Sequence, residues 1–165
     1  KMIGLKTAVL IACSAKMGAL IAGATEEQAD LLYKFGYDLG LAFQIADDWL
    51  DTYGDAKVFG KAIGGDIVNN KKSWLMNRAF EKADEACRKD LCEAMAMPVE
   101  TEAQKEAKIS TVKAIYDKLN VGEEAKKGIQ ILHEQAVGYA EALNLDKEAT
   151  ALLTSYASKL IGRSK

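Results

Sequence analysis

The 165-residue sequence is 49% hydrophobic and 28% charged, with a formal net charge of −2. This length and composition suffice for one globular domain with a buried core. The near-neutral charge and the absence of a long basic tract exclude the usual features of a nucleic-acid-binding protein. The single proline and the abundance of alanine, leucine, lysine and glutamate favour an all-α fold.

The first predicted element is an apolar helix at residues 5–21, which Gly23 terminates. Its composition invites comparison with a membrane span or a signal peptide. However, Lys6 and Lys16 interrupt the segment, and its many alanine and glycine residues make it only moderately hydrophobic. We therefore expect a helix that is buried against other helices, and no membrane span.

A capping box of Thr25 and Gln28 predicts the start of a second, long helix at residues 25–52. A loop rich in glycine and lysine follows, and Asp66 is placed to cap the next helix. Pro98 marks the only strong break beyond that point. The remaining predicted helices occupy residues 66–83, a shorter segment that ends near residue 95, and residues 102–119, 122–143 and 147–161.

No linker, internal repeat or low-complexity tract divides the sequence, so residues 1–165 are expected to form a single all-helical domain. The chain begins with a lysine directly before an apolar helix, and we expect it to be a fragment of a longer protein. The three cysteines are odd in number and have no CxxC spacing, which favours a reduced, cytoplasmic compartment. We interpret them as small, buried hydrophobic side chains.

An acidic cluster lies near the end of the second predicted helix, where Asp47, Asp48 and Asp51 occur among apolar residues. Like charges at these spacings destabilise a helix, and buried carboxylates require a cationic partner. Gln44, either Asp47 or Asp48, and Asp51 recur at spacings of three, four and seven, so they project from one face. Mg²⁺ is typically held by one or two carboxylates together with substrate phosphates, and this face therefore predicts a magnesium site.

The residues after the cluster could complete a site for a magnesium-bound diphosphate. Lys61 and Lys71 lie within reach of it, and the intervening glycines allow the loop to bend close to a ligand. The loop is not a P-loop, because the glycine interval is wrong and no strand precedes it. For any single lysine, a solvated loop is the alternative interpretation, although the apolar flanks disfavour a surface turn for the whole set.

Lys6 and Thr7 form a second candidate site, because both can donate hydrogen bonds to an anion at the start of a helix. A solvated lysine is the alternative interpretation for Lys6. His133, the only histidine, lies on an amphipathic segment and is interpreted as structural. The sequence has no ExxH motif and no EF-hand loop, which argues against a di-iron bundle and a calcium site.

The stretch GLAFQIADDWLDTYGDAKVFGKAIGGDIVNNKKSWL at residues 40–75 resembles the second aspartate-rich motif of the trans-isoprenyl diphosphate synthases, or polyprenyl synthetases. The pair Lys6 and Thr7 is similar to the Lys-Thr pair of the same family. The resemblance extends over residues 1–75. It implies an all-α fold, the C-terminal portion of an isoprenoid-synthase-type helical bundle.

The resemblance also implies a function, the Mg²⁺-dependent head-to-tail condensation of an allylic diphosphate with isopentenyl diphosphate. The partners would be these two substrates, and the full-length parent would be a homo-oligomer. The implied site roles are metal binding for Asp47, Asp48 and Asp51, with Asp47 as the direct ligand, diphosphate binding for Lys6, Lys61 and Lys71, and catalysis by Lys6, Thr7 and Gln44.

The sequence departs from the family pattern because the first aspartate-rich motif and the basic residues for isopentenyl diphosphate are absent from it. It therefore resembles the C-terminal half of a synthase, and we expect the isolated chain to be inactive. One alternative is a non-catalytic helical subunit that pairs with a full-length prenyl synthase. Another is a terpene cyclase, which would use similar ionisation chemistry.

Overall fold

The computed structural model describes residues 4–55 and 63–161. The regular structure of these residues is helical throughout, which confirms the predicted all-α class. A π-helical turn at Gly4–Ala8 leads directly into the first α-helix. The α-helices are α1 (Val9–Ile21), α2 (Glu26–Tyr53), α3 (Gly65–Val68), α4 (Trp74–Lys82), α5 (Glu85–Met95), α6 (Glu102–Lys118), α7 (Val121–Ala142) and α8 (Lys147–Ile161).

The described residues group into two compact units. The first contains the residues up to Ala46 and those from Lys127 onward, and the second contains the described part of Asp47–Lys126. Helices α2 and α7 each contribute residues to both units. The prediction of one domain over residues 1–165 stays a prediction.

In the first unit, α1 and α2 approach each other closely because small residues face one another. A Cβ atom added to Gly36 would lie 2.9 Å from the Cα of Ala12, and one added to Gly40 would lie 2.6 Å from the Cα of Ala8. Both alanines are fully buried. The spacing of four residues on each helix aligns the small residues along one contact line. There is consequently no room for a side chain at either glycine.

A second core cluster in the first unit joins α2 to α7 and α8. Phe35 and Leu39 of α2 are its largest buried members, and alanines of α7 and α8 complete it. Alanine at the contact points allows these helices to pack closely. The buried members are Phe35, Leu39, Ala136, Ala140 and Ala157.

The core of the second unit is formed by larger side chains of α4 to α6. Leu75, Leu91 and Val112 are fully buried. Tyr116 is also buried, and its hydroxyl contacts the sulfur of Met76 at 3.6 Å. Val112 and Tyr116 are four residues apart on α6, so they lie on one face of that helix.

Lys108 of α6 is a buried cation in the same unit, with only 1% of its surface exposed. Its Nζ donates a hydrogen bond of 2.9 Å to the carbonyl oxygen of Met95, the last residue of α5. A cation at a helix C-terminus interacts favourably with the helix dipole and satisfies a carbonyl group there. Burial nevertheless lowers the pKa of Lys108. The side chain therefore links α6 to the C-terminus of α5 through this hydrogen bond.

The predicted helix at residues 66–83 is wrong, because two helices occupy this segment. The short α3 ends at Val68, and α4 begins at Trp74. Asn70 has a φ of 50°, a left-handed conformation that interrupts the helix. The cap predicted at Asp66 is also wrong, since Gly64 occupies the N-cap of α3 and Asp66 lies within its first turn.

The capping box before α2 is confirmed. The backbone amide of Gln28 donates to Thr25 Oγ1 at 3.2 Å, and the amide of Thr25 donates to Gln28 Oε1 at 3.1 Å. The interpretation of the cysteines as buried is confirmed for Cys87, whereas Cys13 is half-buried and Cys92 is exposed. Nothing in the helix packing of α5 requires Cys92 to be buried, because it lies on the solvent face.

By length and hydropathy alone, one helical stretch among the described residues, Gly4–Ile21, could cross a membrane. The same criteria are met by core helices of proteins that do not enter membranes. The close packing of this stretch on α2 through alanines agrees with a helix that packs against other helices.

Candidate functional site

The three aspartates of the predicted site lie on the last two turns of α2 but differ in their surroundings. Asp47 is exposed, Asp51 is half-buried, and Asp48 is only 5% exposed. Asp47 and Asp51 are one turn apart on the helix, and the burial of Asp48 shows that its side chain turns toward the core. The acidic motif therefore has one exposed, one half-buried and one buried aspartate.

Asp48 anchors the start of α4. Its Oδ2 accepts a hydrogen bond of 2.6 Å from the backbone amide of Trp74, and its Oδ1 accepts one of 3.3 Å from Lys71 Nζ. Burial raises the pKa of Asp48, although these two donors oppose that effect. A carboxylate at a helix N-terminus is stabilised by the free amides and the helix dipole.

Asp51 is connected to α3 through the backbone. Its Oδ2 accepts a hydrogen bond of 2.8 Å from the amide of Asp66. Burial raises the pKa of Asp51, and the nearby carboxylates of Asp66 and Asp47 add to this effect. Gly64, just before α3, has a φ of 86°, and a Cβ there would lie 2.5 Å from Ile109 Cδ1. Glycine at this position lets α3 lie beside the acidic cluster.

Lys71 joins the aspartates of the two segments. Its Nζ lies 2.7 Å from Asp66 Oδ2 and 3.3 Å from Asp48 Oδ1. Desolvation disfavours the charged lysine, but the hydrogen bonds and charges of Asp66 and Asp48 outweigh it and raise the pKa of Lys71. The side chain keeps 42% of its surface exposed, so it can still reach an incoming anion.

Asp66 is the member of this cluster to which the sequence analysis assigned only a capping role. Its position in the sequence, between a glycine pair and Lys71, could have identified it, because a carboxylate there can pair with that lysine. Four carboxylates and one ammonium group therefore lie in this part of the second unit: Asp47, Asp48, Asp51, Asp66 and Lys71.

The carboxylates of this cluster suit a magnesium ion only if water and a phosphate ligand complete its coordination. Among the described residues, no group of three or more histidine, cysteine, aspartate or glutamate side chains is arranged to hold a metal ion by itself. Mg²⁺ commonly binds one or two carboxylates and completes its coordination with water and substrate phosphate oxygens. Asp47 and Asp51, one turn apart on α2, fit the binding of Mg²⁺ by two carboxylates together with water and phosphate oxygens.

Lys6, Thr7 and Gln44 belong to the first unit. Lys6 is exposed and Thr7 is half-buried, and both lie in the π-helical turn Gly4–Ala8. Gln44 is half-buried on α2, and Lys61 lies outside the described residues.

The family model for polyprenyl synthetases matches residues 1–116. The chain is 41% identical over 91 residues to the short chain isoprenyl diphosphate synthase of Methanothermobacter thermautotrophicus, which covers 55% of the chain and 28% of that protein. It is 40% identical over 108 residues to the geranylgeranyl diphosphate synthase of Saccharolobus solfataricus, which covers 66% of the chain and 30% of that protein.

Solved structures extend the similarity over nearly the whole chain. A geranylgeranyl pyrophosphate synthase is similar with a TM-score of 0.88 and 38% identity, over 99% of this chain and 50% of that one. The geranylgeranyl pyrophosphate synthetase of Pyrococcus horikoshii has a TM-score of 0.83 and 28% identity, over 97% and 47%. The chain thus spans about half of these structures. The 165-residue chain belongs to the polyprenyl synthetase family.

Proposed function

We propose that this chain forms part of a Mg²⁺-dependent prenyltransferase that extends an allylic diphosphate with isopentenyl diphosphate. The observation that carries this proposal is the acidic cluster of the second unit. There, Lys71 bridges Asp48 and Asp66, and the exposed Asp47 and half-buried Asp51 lie on the same helix as Asp48. Support also comes from family membership, since relatives that match this chain are named isoprenyl and geranylgeranyl diphosphate synthases.

The carboxylates of Asp47 and Asp51 are proposed to hold the metal, which, when bound, would neutralise negative charge on the diphosphate. Asp48 takes part as a positioning residue, because its two oxygens already accept hydrogen bonds from Trp74 and Lys71. Its assignment as a metal ligand stays a prediction. We therefore propose that Asp47 and Asp51 bind the metal, whereas Asp48 maintains the local fold.

Lys71 is proposed to bind the diphosphate, and diphosphate binding by Lys6 and Lys61 stays a prediction. In the reaction, the bond between the allylic carbon and the diphosphate oxygen breaks, and its electron pair leaves with the diphosphate. The double bond of isopentenyl diphosphate then attacks the allylic cation, and a proton is lost from the adduct. Lysine side chains stabilise the charge that develops on the leaving group, which is an electrostatic contribution to catalysis. Thr7 and Gln44 are proposed to line the path of the cation.

The chain alone is expected not to condense the two substrates, because its sequence contains only one aspartate-rich motif. Turnover by the isolated 165 residues that is abolished in the Asp47→Ala variant would contradict this expectation. The measurement is a radiolabelled isopentenyl diphosphate incorporation assay with geranyl diphosphate as the allylic substrate.

The binding half of the proposal is tested by isothermal titration calorimetry of the 165-residue chain with Mg²⁺ and inorganic pyrophosphate. We expect Asp47→Asn to weaken the Mg²⁺-dependent affinity about tenfold or more, which corresponds to about 1.4 kcal/mol. Asp90→Asn on α5 makes the same charge change and is the matched control. Equal affinities for the parent and Asp47→Asn would refute the metal-binding role.

The role of Lys71 is tested in the same titration with a neighbouring control. We expect Lys71→Met to weaken pyrophosphate binding by about tenfold, since one cation is removed from the anion site. Lys72→Met removes the same charge from an exposed neighbour and should leave the affinity nearly unchanged. If both variants lose affinity equally, net charge rather than the Lys71 site governs binding.

A further inference from the structure

Residues 64–74, which carry Asp66 and Lys71, contain a tightly bonded turn. The amide of Lys71 donates to the backbone carbonyl oxygen of Asp66 at 2.9 Å. The amide of Asn70, which has a φ of 50°, donates to the carbonyl oxygen of Ile67 at 3.1 Å. These two bonds form a Schellman motif at the end of α3. The motif fixes Lys71 relative to Asp66, so the placement of both depends on the contacts that hold the segment from outside.

Gly64 begins this segment and contacts both α2 and α6. Its amide donates a hydrogen bond to the backbone carbonyl oxygen of Asp51 on α2. A Cβ atom at Gly64 would lie 2.5 Å from Cδ1 and 2.6 Å from Cγ1 of Ile109 on α6. Glycine has more backbone freedom than any other residue. The side chain of Ile109 therefore fills the space into which the start of α3 could otherwise shift.

Helix α6 gives Ile109 a firm support. The preceding residue, Lys108, is buried and donates a hydrogen bond to the carbonyl oxygen of Met95 on α5. Tyr116, about two turns after Ile109, is also buried and contacts the sulfur of Met76 on α4. The side chain of Ile109 thus projects from a helix that is fixed to both α4 and α5.

The placement of Gly64 affects the acidic cluster directly. Asp66 lies two residues later, and its amide donates to Asp51 Oδ2 at 2.8 Å. The carboxylate of Asp66 in turn pairs with Lys71 Nζ at 2.7 Å. The start of α3 therefore connects a proposed metal ligand, Asp51, with a proposed diphosphate-binding group, Lys71. A displacement of about 1 Å in groups of this kind can lower the rate of a reaction about a hundredfold.

We propose that Ile109 is a positioning residue of the diphosphate site, whose side chain packs on Gly64 and keeps Lys71 between Asp48 and Asp66. Ile109 is apolar and acts through Gly64, not on the substrate. The inference rests on the proposed function, because it takes Lys71 as a group that binds diphosphate. It assigns to α6 a role that the acidic motif itself does not contain.

The first test is isothermal titration calorimetry of the 165-residue chain with Mg²⁺ and inorganic pyrophosphate. We expect Ile109→Ala to weaken the affinity about fivefold or more, whereas Ile109→Val, which keeps most of the contact, should bind within about twofold of the parent. Ile115→Ala is the control and should bind like the parent. Ile115 is also half-buried on α6, but it lines a groove beside Ala94 of α5. Equal losses in Ile109→Ala and Ile115→Ala would overturn the proposal.

A double-mutant cycle with Lys71→Met shows whether Ile109 acts through that lysine. Once Lys71 has been replaced, Ile109→Ala should change the affinity by less than about twofold. The same loss in both backgrounds would overturn the positioning role. Parent-like affinity in Lys71→Met alone would instead refute the diphosphate-binding role of Lys71, so the failure of the proposed function is distinguished from the failure of this inference.

Amide hydrogen exchange, followed by NMR without pyrophosphate, tests the contact of Ile109 with Gly64 independently of binding. Exchange of the Asp66 amide should become about tenfold faster in Ile109→Ala, because the start of α3 opens more often, and should stay unchanged in Ile115→Ala. The amide of Leu91, a fully buried residue of α5, reports global unfolding in each variant. Equal protection of the Asp66 amide in the parent and Ile109→Ala would overturn the proposal.

Discussion

The carboxylate of Asp48 accepts a 2.6 Å hydrogen bond from the backbone amide of Trp74, a residue 26 positions further along the chain. Asp47, its immediate neighbour, is exposed. Two adjacent aspartates of one motif therefore differ in their contacts: Asp48 stabilises the start of α4, whereas Asp47 faces solvent. This division makes their substitutions distinguishable by stability alone.

We predict that Asp48→Ala lowers the free energy of unfolding by about 1–3 kcal/mol, because a charge-assisted hydrogen bond to a helix N-terminus is lost. Asp47→Ala should change it by no more than about 0.5 kcal/mol, as is usual for an exposed residue. The measurement is urea unfolding followed by circular dichroism. Similar losses in both variants would show that Asp48 has no special structural role.

The contact of α1 with α2 gives a second prediction. Gly40→Ala should destabilise the protein by about 1–3 kcal/mol, because the new Cβ would lie 2.6 Å from the backbone of Ala8. The opposite sign is expected at Gly138 of α7, where a Cβ would meet nothing within 4 Å. There, Gly138→Ala should stabilise the helix by up to about 1 kcal/mol. Thermal unfolding of the two variants tests both signs, and stabilisation by Gly40→Ala would disprove the close contact.

Glu124 of α7 gives a prediction about pH dependence. Hydrogen bonds from Lys82 and Arg78 of α4 lower the pKa of Glu124 below its ordinary value of 4.5. A lowered pKa in the folded state contributes stability above pH 4.5, and this contribution is lost as the pH falls through the folded pKa. We therefore expect Glu124→Gln to lower the melting temperature at about pH 7 and the deficit to shrink below about pH 4.

The control for this experiment is Glu123→Gln, which removes the same charge from an exposed neighbour. Burial raises the pKa of Asp38 and Asp48, so these groups affect the stability of the parent with the opposite sign. The test is therefore the difference in melting temperature between each variant and the parent at each pH. A deficit for Glu124→Gln that persists unchanged at low pH would contradict the assignment.

Two substitutions of the buried Lys108 separate the effect of side-chain volume on stability from the effect of its charge. Lys108→Ala should cost about 2–3 kcal/mol, because the buried methylenes of the side chain are removed and leave a cavity. Lys108→Met keeps most of this volume and should cost about 1 kcal/mol or less, since the loss of the bond to Met95 is offset by the absence of a buried charge. Chemical denaturation of both variants gives the comparison. Equal costs would mean that the hydrogen bond, and not packing, holds α5 to α6.

The helices could be predicted well wherever local sequence determines the ends. The capping box at Thr25 and Gln28 begins α2, and the predicted helix at residues 147–161 coincides with α8. In these segments the apolar spacing and the terminal residues favour the same boundaries. Tertiary packing leaves the predicted boundaries of these helices essentially unchanged.

The segment around α3 shows that the local sequence pattern does not determine every helix boundary. An uninterrupted helix at residues 66–83 satisfies the sequence pattern, but Asn70 adopts a left-handed conformation and Ser73 starts a new helix. The break brings Lys71 to Asp48 and the amide of Trp74 to the same carboxylate. Contacts between residues more than twenty positions apart decide this geometry, and periodicity does not encode them.

For the candidate site, the sequence identified the aspartates and Lys71 and left open whether Asp47 or Asp48 shares a face with Asp51. Helical spacing does not decide between them, because Asp47 is four residues and Asp48 three residues from Asp51. Burial and hydrogen bonds were needed to show that Asp48 is engaged inside the protein. Asp66 entered the cluster only through its contact with Lys71. Its carboxylate has no regular spacing from the motif, so no periodic pattern could reveal it.

The bridge that Lys71 forms between Asp48 and Asp66 has a consequence for ionic strength. A lysine that is already paired loses one ion pair when it forms another with an incoming anion. Dissolved salt weakens both the ion pair that is lost and the one that forms, so the two effects partly cancel. The apparent affinity of this site for an anion should therefore decline less steeply with salt concentration than that of a site built from unpaired lysines.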